Sequence, residues 1–182
     1  MTTIDPVISH ILRGLIALVF AEAAYHKLSD LRAFGDTLAN YQLVPARFLR
    51  PVVVAIIALE IAAAVSLLWP GAPRAAPVVA AALLVVYAAA IAINLMRGRG
   101  SIDCGCSGAA VRQSLSAGLI VRNAVLVGCC CGATLATAVR PLGALDTGTV
   151  LFGVAALFLV YVASNRLLAE SAHLREALNH DD

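Results

Sequence analysis

Apolar residues come in five long runs separated by short polar segments, near residues 7–26, 52–69, 76–96, 115–139 and 149–164. At 1.5 Å of rise per residue, about 20 helical residues cross a hydrocarbon core about 30 Å thick. Each run therefore predicts a transmembrane helix. The last is the shortest, so four spans plus a surface-lying helix is the alternative count. The alternating segments of about 10 residues that build a membrane β-barrel are missing. The fold class read from the pattern is all-α, a polytopic helix bundle forming one integral membrane domain, with a polar tail over 165–182. Between the first two runs, Leu31, Phe34, Leu38, Tyr41 and Leu43 recur at roughly helical spacing, which predicts a short amphipathic helix at the interface. Pro51 and Pro70 stand at helix edges, where a missing donor costs little, and Trp69 stands where an interfacial aromatic belt would put it.

Composition excludes a soluble domain. Hydrophobic residues make up 61% of the 182 and charged ones 13%, against about 45–50% and about 25% in soluble chains. With 11 acidic and 13 basic side chains the protein cannot clothe itself in a solvated shell, and lipid is the expected partner. A net charge of +2 with no basic run gives nothing to neutralise phosphates, so no nucleic-acid partner is expected. The N-terminal run reads as a retained helix: no basic stretch precedes it, and Arg13, Glu22, His26 and Lys27 interrupt or follow it. With five spans, nine Lys and Arg residues fall on the face of the 97–114 loop and only Arg74 and Arg140 on the other. That asymmetry predicts a cytoplasmic loop.

The most specific chemistry is the run Asp103-Cys104-Gly105-Cys106-Ser107-Gly108 in that loop. Two thiols separated by one glycine can close a very tight, readily exchanged disulfide, or offer two thiolates to a soft metal such as Cu(I). A structural zinc site lacks its further ligands, and no resident metal is expected. Cys129, Cys130 and Cys131 lie on a helix, point about 100° apart and cannot share one site. Their expected role is packing, with an electron relay as the alternative. Ionisable groups at membrane depth are costly and mark candidate sites. Glu22 and His26, four apart, share a face of the first helix. Arg122 is expected to be neutralised by Glu22 or Glu60, and Lys27 to reach for headgroups. A small-solute transporter using Glu60 and Arg13 is a competing class.

These elements together resemble the MauE/DoxX family of small membrane proteins. The resemblance rests on His26-Lys27-Leu28, Tyr41-Gln42-Leu43-Val44-Pro45, Glu60, the Asp103–Gly108 run and Arg122-Asn123, and covers roughly residues 10–130. The CxC loop followed by Arg-Asn sits nearer the MauE branch than the DoxX branch. The resemblance implies maturation of the disulfide-rich small subunit of methylamine dehydrogenase, a secreted client, with a thioredoxin-like MauD-type partner in a bacterial inner membrane. Cys104 and Cys106 would then cycle between dithiol and disulfide, with Glu22, His26 and Arg122 tuning the thiolate or moving protons. Two onward routes are open for the electrons, a membrane quinone or Cys129–Cys131.

Overall fold

The computed structural model describes residues 3–69, 75–105, 113–138 and 140–180, with side chains described except at residue 3 and over 172–180. Among them the helices are α1 (Pro6–Ser29), α2 (Leu31–Tyr41), α3 (Leu49–Leu68), α4 (Ala75–Met96), α5 (Ala117–Thr134) and α6 (Ala144–His180). All but α2 are long and apolar enough to cross a membrane, so the bundle has five candidate spans rather than four. The short helix between the first two spans is present as α2.

Local chemistry explains the turns. Asp5 starts α1 by accepting a hydrogen bond from the Val7 N–H at 2.8 Å, with Pro6 in the first turn. Asp30 serves two helices: its N–H donates to the His26 carbonyl at the end of α1, and its Oδ1 accepts from the Ala33 N–H at the start of α2. One residue thus folds α2 back across the end of α1. Gln42 then stops α2 in the left-handed region, at φ 51°.

Helix α1 is the hub, packing on α3, α5 and α6. Leu15, Ile16, Val19 and Phe20 join Ala63, Leu67, Ala80 and Leu84 in the main core. Small residues let the helices approach: a Cβ on Gly14 would lie 2.6 Å from Val154 Cγ2 of α6. The outward faces carry exposed Val54, Val65, Val86, Phe152 and Leu159, an arrangement that water would penalise and lipid would not.

Two helices depart from their apolar runs. Helix α5 stops at Thr134, because Ala136 and Thr137 pair in parallel with Thr3 and Ile4, and the Ala138 N–H donates to the Ile4 carbonyl at 2.9 Å. Apolarity alone cannot tell that two-residue ladder from a further helical turn. Helix α6 begins earlier than its run, because the hydroxyls of Thr147 and Thr149 bond back to the carbonyls of Gly143 and Leu145 and so fit within a helix. Arg140 clasps this end of the molecule, donating to Asp5 at 3.0 Å and to Asp146 at 2.8 Å. Its guanidinium holds the Asp5 carboxyl below the usual carboxylate range.

Candidate functional site

The opposite end of α1 meets the loop between α4 and α5. Two main-chain bonds make a short stem there, from the Cys104 N–H to the Gln113 carbonyl at 2.8 Å and from the Leu115 N–H to the Ile102 carbonyl at 3.1 Å. Asp103 and Ser114 pair between them. At the end of the stem Gly105 adopts φ 71°, and its N–H donates to Asp103 Oδ1 at 3.0 Å. A Cβ at Gly105 would lie 2.9 Å from Thr37 Cγ2, so the loop rests directly on α2. Glycine is the residue that meets both demands without strain.

Cys104 is only 6% exposed and packs with Tyr41, Ile91, Leu115 and Leu119. Its carbonyl accepts from the Tyr41 hydroxyl at 3.4 Å. Cys106, Ser107, Gly108 and Arg112 lie outside the described residues. Beside the loop a cleft of about 40 Å³ is lined by His26, Lys27, Asp30, Phe34, Asp103 and Gly105. Four titratable groups, His26 and Lys27 of α1, Asp30 and Asp103, therefore border the cysteine-bearing turn. Of the three residues expected to tune the thiolate, His26 reaches this cleft. Its Nε2 lies 3.9 Å from Glu22 Oε1, one turn back along α1. Neither Glu22 nor Arg122 is among the described residues of the cleft wall.

The expectation for Lys27 and the Glu60 alternative for Arg122 are corrected. Lys27 does not reach for headgroups: it is 4% exposed, and its Nζ lies 2.7 Å from Oε1 of Glu60, itself fully buried. The Tyr87 hydroxyl donates to the same oxygen at 2.8 Å, and the rings of Phe34 and Tyr87 lie 5.2 and 5.8 Å from the ammonium. Helix α2 roofs Lys27 and closes its route to the surface. Glu60 therefore meets Lys27 where Arg122 was expected. Arg122 donates through Nη1 to Asn165 Oδ1 at 2.9 Å and through Nη2 to Asn123 Oδ1 at 3.3 Å, over the ring of Tyr161.

Sequence reasoning missed Tyr87, Gln113 and Asn165. Tyr87 and Asn94 are the polar side chains of an otherwise apolar α4, a signal that was available. Nothing local marks Asn165, whose role depends on the path of α6. The three consecutive cysteines diverge as helical geometry requires, with Cys130 buried, Cys129 half-buried and Cys131 exposed. Cys130 belongs to the cluster of Leu15 and Phe20, and Cys104 to the separate cluster of Tyr41 and Leu119.

Fold and loop define a multi-pass membrane protein that carries a cysteine turn over a small titratable cleft. The chain belongs to the MauE family, since the family model for methylamine utilisation protein MauE matches residues 5–137. It is 38% identical over 164 residues to methylamine utilization protein MauE of Paracoccus versutus, spanning 90% of this chain and 88% of that one. The protein of the same name from Paracoccus denitrificans is 36% identical over 170 residues, 93% of this chain and 91% of the relative. That from Methylophilus methylotrophus is 40% identical over 102 residues, 56% and 54%. No solved structure matches. The matched stretch runs from the start of α1 to the short strand Ala136–Thr137 and so contains the cleft and the loop stem.

Proposed function

We propose that this protein exchanges thiol and disulfide equivalents through Cys104 and Cys106 in a bacterial inner membrane. The exchange supports disulfide formation in a secreted client such as the small subunit of methylamine dehydrogenase, through a thioredoxin-like MauD-type partner. The observation that carries the reading is the placing of Cys104: its main chain is pinned by Gln113 and Tyr41, and the next residue borders a cleft holding His26, Asp30 and Asp103. Thiol exchange needs a positioned sulfur and a nearby proton acceptor, because the thiolate is the attacking species. A thiolate of the partner attacks the Cys104–Cys106 disulfide to form a mixed disulfide, releasing the other loop sulfur as a thiolate. The partner's second thiolate then displaces the bound loop cysteine, so the partner leaves with a disulfide and its two electrons stay on the Cys104–Cys106 dithiol. The family's link to methylamine utilisation supports the choice of client.

Mass-tag alkylation of membranes, with and without prior reduction, tests this. The tag count should differ by two between the samples, and serine at either position should abolish the difference and stop client maturation. Thiols that remain reduced under oxidising conditions, together with full function of the double serine variant, would sink the reading.

A further inference from the structure

We propose that the apolar cavity enclosed by α2, α3 and α4 binds a quinone that accepts the two electrons of the Cys104–Cys106 dithiol. This inference rests on the exchange reading above. The cavity holds about 420 Å³, within the range of small-molecule sites. Leu38, Ile56, Leu59, Val86 and Ile91 supply its apolar walls. Leu59 and Val86 are also among the exposed residues of the outer surface, so the rim belongs to the lipid-facing side and the occupant enters from the bilayer.

Three polar features set the chemistry of that occupant. Lys27 lines the cavity, and its ammonium carries three N–H bonds, of which the Glu60 contact uses one. An acyl chain has no use for such a donor. A phosphate headgroup would need a net positive site, whereas the carboxylate 2.7 Å away already balances this ammonium. A neutral head with carbonyl oxygens fits, and the rings of Phe34, Tyr41 and Tyr87 in the wall suit a flat one. Cys104 stands in the same wall, which brings one cysteine of the pair to the edge of the ligand's space. Lys27, Phe34 and Thr37 also line the cleft beside the cysteine turn, so a proton donor lies between the two spaces.

The reaction balances without another reagent. Both S–H bonds break and one S–S bond forms between Cys104 and Cys106. The two electrons and two protons turn the two quinone carbonyls into hydroxyls.

The full-length protein in phosphatidylcholine nanodiscs, reduced beforehand, is mixed with a short-chain ubiquinone while quinone absorbance and mass-tag count are followed. One quinol per protein should form as two tags are lost. Ala90→Phe or Leu59→Trp, which fill the cavity or its rim, should slow quinol formation at least tenfold. Both should leave oxidation of the pair by glutathione disulfide unchanged, which also shows that the variants are folded. If ubiquinone stays oxidised while glutathione disulfide oxidises the pair, or if both filled variants act at the wild-type rate, the quinone site is overturned and the exchange reading stands. If neither oxidant closes the pair, the exchange reading falls and the quinone site with it.

Discussion

Lys27 and Glu60 form a buried ion pair, Nζ to Oε1 at 2.7 Å, that ties the end of α1 to the middle of α3 beneath the roof of α2. The side chains are 4% and 0% exposed. Stripping two charges of solvent is tolerated here because the carboxylate also receives the Tyr87 hydroxyl and the ammonium is flanked by two rings.

Breaking the pair should therefore cost more than removing it. Lys27→Met leaves a buried carboxylate and is expected to destabilise the protein by about 3–5 kcal/mol, whereas the Lys27→Met/Glu60→Leu double variant should recover much of that loss. Thermal unfolding in detergent makes the comparison. A double variant as unstable as the single one would argue against the pair.

The cysteine turn depends on Gly105. A side chain there must adopt φ 71° and push on Thr37, so Gly105→Ala should cost about 1–2 kcal/mol from the backbone alone. The more telling effect is local: the loop should lift off α2, and Cys104 in the reduced protein should alkylate faster. Adding Thr37→Ala relieves the contact but not the backbone, so only part of the change should reverse. An unchanged alkylation rate would show that the turn does not lean on α2.

Arg122 tests whether α6 is tied to α5 by a side-chain bridge. Asn165→Leu should cost about 1.5–3 kcal/mol, the range for a hydrogen bond to a charged group. Because Arg122 Nη1 donates to Asn165, Arg122→Leu combined with Asn165→Leu should cost less than the two single losses added together. Strict additivity in thermal unfolding would mean that the two side chains do not cooperate.

Sidedness pits two physical arguments against each other. Nine basic residues against two put the cysteine loop in the cytoplasm, whereas disulfides persist in the oxidising periplasm, where a secreted client matures. The charge argument carries more weight because the loop is short. A membrane-impermeant maleimide applied to intact cells after reduction should therefore leave Cys104 and Cys106 unlabelled. Labelling of either would place the loop outside and favour direct exchange with a periplasmic partner.

Much of the architecture was legible because a hydrocarbon solvent leaves a blunt record. A spanning helix must be long and apolar, so the five runs marked five helices before any packing was known. The period of Leu31, Phe34, Leu38 and Tyr41 marked α2 for the same reason. Helix ends were less legible, because a terminal turn and a two-residue ladder differ by hydrogen bonds rather than by polarity. The loop cysteines were legible as chemistry, since two thiols one residue apart in a polar loop constrain what they can do.

Pairings between helices were not legible. Sequence spacing gives the height and face of a charge on its own helix, but the neighbour it meets depends on helix order, tilt and what lies above. Glu22 and His26 share one helix, so their neighbourhood followed from a separation of four residues. Lys27 and Glu60 lie on different helices, and α2 decides their pairing by folding back through Asp30 and sealing the ammonium from water. Arg122 meets Asn165 because α6 passes that level of α5. What the sequence determined by itself was the solvent, the five long apolar runs and the presence of two cysteines one residue apart in a polar loop. Only the tertiary structure decided which charges neutralise one another and which cavity Cys104 borders, because those depend on contacts between segments that chain connectivity leaves free to choose.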